Sequence, residues 1–546
     1  MSRLLATLLL LLFASPAQAV ISVVVILDDV SRFNVAAYRT AGVDSVTVGS
    51  TIQATTNLDA IAAAGVRMNF MHGHMVCSPF RAELVTGAFV NRPSNGYGHV
   101  HAGEFPATHV VELATGAPNI WNMAKLAGSA TAHFGKWHLG YVLPRAEFGG
   151  QTMLSAMGID YYDEVVQENC AQASPLSDAE YTAQTGFATE CLSHRSCVRM
   201  DSTNSVVITT DYSGDVEFGS AEAYITAWAA ANPGDDLLVT LAPTAPHNPV
   251  ADGSGAESCA GEGPADDRPP TPNDGLGKEE VYYDMMLYLD GLIGGLRTVL
   301  TNTTEDTRLI VVADNGTPTP WEIPVELDAS KGSKNSFYPL GIFVPMIAEG
   351  FDIQTGVMTG LYSTPDLSAT IADLIGARAS HRDGTSFADC WTETGGLTAA
   401  TCPDRDYVSD SRWIPFGGSA GTTDRRPIPG DGAGECTRSE DWVYITTPDD
   451  TLRLLGRYRD CDDANFEYRE EFWEVPLADA NRYIPTTGYD AIATNLAGAG
   501  DLVEGDWINA PATADELTAL SLSQAILTKQ VGNSGGLPKI GRVQGR

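Results

Sequence analysis

Three short runs of the chain, ISVVVIL at 21–27, DLLVTLA at 236–242 and RLIVVA at 308–313, are apolar at nearly every position rather than at every second one. A strand with one wet face alternates. A strand rich in Val, Ile and Leu throughout has to be covered on both faces, as in a parallel sheet flanked by helices. Helical patterns lie between the runs. The clearest is Val281, Met285, Tyr288, Leu289, Leu292, Leu296 and Leu300, spaced three and four apart as one apolar stripe just ahead of the third run. Alternating strands and helices predict an α/β fold with a large mixed, mostly parallel sheet sandwiched by helices.

The flanks divide the chain further. Residues 1–19, MSRLLATLLLLLFASPAQA, carry one early arginine, an apolar run and the small-x-small sequence Ala17-Gln18-Ala19, the pattern of a secretory peptide cleaved near Ala19. That run is short for a bilayer span and no later segment is apolar enough, so a secreted or periplasmic protein without a membrane span is expected. A large domain is assigned to 20–395 and a smaller C-terminal α+β domain to 396–530. In the latter, DWVYITT, LRLLGRY and EFWEVP read as strands of an antiparallel sheet at hairpin spacing. Residues 531–546 read as a loose tail. Residues 251–280, rich in Gly, Pro and Asp, read as a surface loop, and 377–440 as a second irregular region.

With 33 basic against 69 acidic residues the net charge is −36, which argues against nucleic acid and anionic membranes as partners. Nine cysteines in an oxidising compartment leave one unpaired. If that one is Cys77, the other eight can form up to four disulfides. Cys191 and Cys197, Cys390 and Cys402, and Cys436 and Cys461 are near neighbours, but sequence does not fix the pairing, nor does it exclude another free thiol. Cys77 stands at the start of a predicted helix, CSPFRAELVTG, whose first turn suits Pro79. There it would face unpaired backbone N–H groups, which favour negative charge.

Polar residues stand directly after each apolar run. Asp28 and Asp29 come after the first, Asp314 and Asn315 after the third, and TAPHNP with His247 after the second. In open parallel sheets ligands bind beyond the carboxyl ends of the strands, so these groups are expected to converge. Taken singly, Asp-Asp or Asp-Asn-Gly after a strand is usually turn chemistry; recurrence at several strand ends argues for more. Three carboxylates and an amide oxygen make a hard oxygen cage suited to Ca²⁺, with Mg²⁺ as the alternative. A basic group accompanies it. Lys136 and His138, two apart in HFGKWHLG, together with Arg81 and His247, suit a tetrahedral oxyanion and proton exchange with it. The remaining histidines, including His72, His74 and His133, read as surface or satisfied core residues.

These residues also carry a family resemblance. CSPFRAELVTG resembles the type I sulfatase signature, in which C-x-P-x-R directs oxidation of the cysteine to formylglycine. GKWHLG, APHNP, ADNG and the early DD resemble the family's other motifs in the same order, and YSTPDLSATIADLIG resembles the segment that closes the large domain. The resemblance covers about residues 20 to 376. It implies the alkaline-phosphatase-like fold, sulfate-ester hydrolysis, and a formylglycine-generating enzyme as partner during maturation. By resemblance, the hydrate of the oxidised Cys77 offers two hydroxyls: one attacks sulfur and displaces the alcohol, and the other then expels sulfate.

The same resemblance assigns roles. Asp28, Asp29, Asp314, Asn315 and residue 77 would hold the cation, and Arg81 would hold the hydrated aldehyde. Lys136 would contact sulfate, His138 would be the base for elimination, and His247 would protonate the leaving oxygen. The family's last lysine departs from pattern in SKGSKNSFYPLGIFVP: spacing to Tyr338 and Pro345 selects Lys334, the local KGS selects Lys331. Phe80 stands where serine is commoner. The substrate expected is a small-molecule or carbohydrate sulfate ester. The alternatives are a phosphodiesterase or phosphonate monoester hydrolase of the same superfamily, and a non-catalytic secreted metal-binding protein.

Overall fold

The computed structural model describes residues 19–39, 54–89, 118–140, 151–166, 198–208, 211–247, 278–318, 339–377 and 383–392, several single residues including Lys334, Cys402 and Arg405, and the strands named below. In chain order come β1 (Val20–Leu27), a hairpin of β2 (Thr47–Val48) and β3 (Thr51–Ile52), β4 (Val66–His72), β5 (Ala130–Lys136), β6 (Tyr161–Val166), β7 (Val198–Met200), β8 (Val206–Ile208), β9 (Leu237–Ala242), β10 (Asp306–Ala313), β11 (Phe343–Val344), β12 (Met346–Gly350) and β13 (Gly356–Ser363). Apart from the hairpin these form one sheet of 11 strands.

The three apolar runs are its centre. β1 lies between β10 and β9 and is parallel to both. β5 continues the parallel order beyond β9, and β6 beyond β5. β7 and β8 extend that side as antiparallel strands. On the other side β12 runs antiparallel to β10, β4 pairs antiparallel with β11 and β12, and β13 is parallel to β4. Ile21, Val23, Val24 and Val25 of β1 have no exposed surface. Burying side chains of this size contributes about 1.5–3 kcal/mol each.

Helices cover the sheet in two separate groups, as two apolar faces require. Thr56–Ala64 and Ser213–Ala231 each pack on Lys278–Thr301, while Cys77–Thr86, Ile120–Ala127 and Thr364–Leu374 pack together. The predicted stripe faces the core: Met285, Leu289, Leu296 and Leu300 are buried, and Tyr282, Tyr283, Met286 and Ile293 widen it. Asp290 of that helix caps its neighbour, accepting from Asn57 N at 3.0 Å and Leu58 N at 2.8 Å. Thr364–Leu374 starts with a capping box between Ser363 and Asp366.

A second sheet of six antiparallel strands comprises β14 (Val408–Ile414), β15 (Arg438–Thr447), β16 (Thr451–Arg459), β17 (Tyr468–Pro476), β18 (Thr494–Asn495) and β19 (Leu502–Val503). The three strands read from sequence are its β15, β16 and β17. Two expectations need correction. The helix expected to begin after a loop ending at 280 already begins at Lys278. The region 377–440, read as irregular, contains the helix Ala388–Thr392 and β14, whose sequence VSDSRWI has no continuous apolar run to betray it. Cys390 and Cys402 form a disulfide, and Cys77 is the free cysteine among the described residues. The other two neighbouring pairs, and residues 1–18, lie outside the described residues. Among those residues no helix is long and apolar enough to cross a membrane.

Gly135 ties β5 to its neighbour in the sheet just ahead of Lys136. It has φ +83°, and a Cβ there would stand 2.1 Å from the Ala242 carbonyl oxygen of β9. We expect Gly135→Ala to push β5 from β9 and displace Lys136, lowering stability in denaturant titration by more than ~1 kcal/mol; an unchanged midpoint would refute that coupling.

Candidate active site

The order β10-β1-β9-β5 sets four strand ends side by side, and the polar residues after them meet. Leu27 of β1 pairs with Ala313 of β10, so Asp28 and Asp29 lie beside Asp314 and Asn315. Asp29 N–H donates to Asp314 Oδ1 at 3.2 Å, and Asn315 Nδ2 donates to Asp29 Oδ1 at 2.6 Å. The helix Cys77–Thr86 faces this group with its first residue. Cys77 Sγ lies 3.4 Å from Asp28 Oδ1 and 4.0 Å from Asp29 Oδ1. Pro79 falls in the first turn as expected, and Gly87, left-handed at φ 63°, closes the helix.

Basic side chains ring the carboxylates. Arg81, one turn on from Cys77, places Nη2 3.1 Å from both Asp28 Oδ2 and Asp314 Oδ2, and donates from Nη1 to the Lys136 carbonyl at 3.0 Å. Lys136 Nζ, fully buried, is 2.5 Å from Asp28 Oδ2. Lys334 Nζ reaches Asp29 Oδ1 at 2.6 Å, Cys77 Sγ at 3.4 Å and His247 Nε2 at 3.1 Å. Of the two lysines left open by sequence, Lys334 therefore joins the cluster; Lys331 lies outside the described residues. His247 Nε2 is 3.4 Å from Asp29 Oδ2. His138 is buried two residues past Lys136 in a left-handed conformation, φ 53°.

Burial and charge compete at each group. Burial works to raise the Asp28 pKa, but Lys136, followed by His247, Arg81 and Lys334, holds it below the usual carboxylate range. Asp29 is raised by burial despite Lys334. Asp314 is pushed up to about 7 by burial and then by Asp28, against the pull of Arg81. Cys77 is driven well above an ordinary thiol by burial, Asp28 and Asp314. Burial, with the two carboxylates, thus opposes the negative charge that the backbone N–H groups of the helix start favour.

The residues fit a hard cation. Ligand atoms of Asp28, Asp29, Cys77 and His247 lie within 4.8 Å of one another. Asn315 Oδ1 is buried and has no hydrogen-bond partner among the described residues. A buried amide oxygen without a donor, beside raised carboxylates, is what a missing positive charge leaves behind.

The sequence profile of the family described as Sulfatase matches residues 21–377. The chain belongs to the sulfatase family. Rat arylsulfatase G (Rattus norvegicus) is 26% identical over 354 residues, 59% of this chain and 60% of that protein's length. Human N-acetylgalactosamine-6-sulfatase is 36% identical over 98 residues, 17% of this chain and 18% of its own. Among solved structures, a protein of a Bacteroides thetaiotaomicron locus for glycosaminoglycan metabolism superposes with a TM-score of 0.56 at 17% identity, covering 86% of this chain and 92% of its own. The fold is that of sulfatases, with the alkaline-phosphatase-like sheet.

Sequence reading missed the groups that hold this sulfatase cluster from behind. Glu217, fully buried in the helix Ser213–Ala231, accepts from Thr244 N at 3.0 Å and Thr244 Oγ1 at 2.9 Å; the Thr244 carbonyl in turn accepts from His247 N at 3.1 Å. Burial pushes Glu217 up to about 7. The one signal for it is an acidic residue inside an otherwise apolar helix face. Of the segments 91–120, 141–215 and 251–280, which the sequence reads as loops lining the entrance, 141–215 holds the helix Met153–Ala156, β6, β7, β8 and the start of Ser213–Ala231, while 91–117 and 251–277 lie outside the described residues.

With Asp314 as a cation ligand, a proton and the cation would compete for it: its pKa is raised to about 7, so below that pH the proton would have to leave before a cation entered. Divalent-cation affinity should therefore rise as pH increases from 6 to 8, with proton release in calorimetry across buffers of different ionisation enthalpy; affinity that falls over this range would contradict the assignment.

Proposed function

We propose that the chain hydrolyses a sulfate monoester of a carbohydrate in an exported compartment, with residue 77 oxidised to formylglycine and a divalent cation, Ca²⁺ or Mg²⁺, held by Asp28, Asp29, Asp314 and Asn315. The observation that carries this reading is the convergence on Cys77 of three buried carboxylates with Arg81, Lys136, Lys334 and His247. As a thiol, Cys77 is kept protonated and is a poor nucleophile. When present, the oxidised residue supplies a hydroxyl nucleophile and the cation draws charge from it and from the sulfate oxygens.

The remaining work falls to the chain's own side chains. Arg81 fixes the Asp28 and Asp314 carboxylates at one end of the site and stands one helical turn from residue 77. Lys136 and Lys334 offer ammonium groups to the sulfate oxygens, each well-placed donor being worth on the order of 3 kcal/mol in the transition state. His247, 3.4 Å from Asp29 Oδ2, would give a proton to the leaving oxygen, and by the family resemblance His138 would take the hydroxyl proton in the elimination. Three carboxylates against three ammonium or guanidinium groups leave the bare site near neutral, so a bound dication makes room for an anionic ester. A carbohydrate as the alcohol is supported by the names of the human relative and the Bacteroides neighbour. Export, and the division into domains at 20–395 and 396–530, rest on the sequence patterns.

The test is direct. Cys77→Ala should lower aryl-sulfate hydrolysis on the order of 10³-fold or more while the melting temperature moves little. Mass spectrometry of the peptide containing residue 77, from protein made with a formylglycine-generating enzyme, should find the oxidised form. Faster turnover of an aryl phosphate than of the matching aryl sulfate would move the reading to the phosphate-ester branch. Retention of most activity in Cys77→Ala would end it.

A further inference from the structure

Asp29 has an unusual backbone for a strand end, φ 60°, a left-handed conformation that few residues with a side chain adopt unless held there. Its N–H is fixed by the Asp314 carboxylate. Its carbonyl oxygen points the other way and takes two hydroxyl donors, Tyr282 Oη at 2.7 Å and Thr317 Oγ1 at 3.0 Å. Tyr282 comes from the helix Lys278–Thr301, Thr317 from the segment after β10, and both are fully buried.

Those hydroxyls are themselves directed. Tyr283 Oη donates to Asn34 Oδ1 at 2.9 Å, which orients the Asn34 amide. Its two protons then go to Tyr282 Oη at 2.9 Å and Thr317 Oγ1 at 2.5 Å, and Ser31 N–H also donates to Thr317 Oγ1, at 3.0 Å. The two hydroxyls also lie 3.0 Å apart, where either can donate to the other; having accepted from Asn34 Nδ2, each has its own proton for the Asp29 carbonyl. The network thus converges on that one oxygen.

We infer that Tyr282, with Thr317 and Asn34, is a positioning device for the cation site: it locks the Asp29 backbone so that the carboxylate faces Cys77, Asn315 and Lys334 rather than the core. Resting on the cation reading above, this makes a helix remote in sequence a determinant of cation affinity. Partners that orient a metal ligand typically change affinity about 10- to 100-fold when removed.

Calcium titration of the purified full chain by calorimetry tests it. Tyr282→Phe should weaken Ca²⁺ binding about tenfold or more, with activity recovered by raising Ca²⁺. Tyr288→Phe removes a hydroxyl from the same helix that bonds Asp215 instead, at 2.6 Å, and should leave the Ca²⁺ affinity unchanged. Should Tyr282→Phe not fold, Thr317 decides: Thr317→Val should weaken Ca²⁺ binding and Thr317→Ser should retain it. A Tyr282→Phe protein with lower melting temperature but wild-type Ca²⁺ affinity, or Thr317→Val with wild-type affinity, overturns the inference alone. Wild-type protein that takes up neither Ca²⁺ nor Mg²⁺ overturns the cation reading and this inference with it.

Discussion

Three carboxylates, those of Asp28, Asp29 and Asp314, are buried in one small volume, and nearly everything around them answers the repulsion this creates. At separations near 4 Å each unscreened pair costs roughly 4 kcal/mol even with an effective dielectric of 20. Arg81 forks across two of them, Lys136 shares Asp28 Oδ2 with it, and Lys334 shares Asp29 Oδ1 with the Asn315 amide. Yet Asp29 and Asp314 remain raised, first by burial and then by Asp28, so a further positive charge at the site would be favoured. The parallel register of β1 and β10 holds the repelling groups together because it is fixed elsewhere, by two faces of buried Val, Ile and Leu.

This division of labour explains what was legible in the sequence. A strand buried on both faces must be continuously apolar, so β1, β9 and β10 stand out. The polar residues that end such strands are conspicuous by contrast, which is why Asp28, Asp29, Asp314, Asn315 and His247 can be grouped from the sequence alone. The pairing of Cys390 with Cys402, near neighbours in sequence, is one of several open choices that the structure closes.

The rest is hidden for physical reasons. Tyr282 sits on an apolar helix face, where a tyrosine reads as packing; nothing local reveals that its hydroxyl meets the Asp29 carbonyl 253 residues away. Glu217 shows only as an acid on an apolar helix face, and its partner Thr244 lies on a different element. What surrounds Cys77 beyond its helix terminus is hidden too, because burial and the carboxylates that push its thiol up depend on residues 28 and 314 from other segments. Choosing between Lys334 and Lys331 needs the backbone anchor Lys334 N–H to Thr317 O at 3.0 Å, a contact between segments rather than a motif.

The central place of β1 has a consequence for the order of events during synthesis. The first strand of the chain finds its partners only at residues 237–241 and 306–313, so the middle of the sheet stays open until more than half of the polypeptide has emerged. In the closed structure Cys77 has no exposed surface. An enzyme that altered this side chain would reach it most readily before β10 arrives to close the sheet.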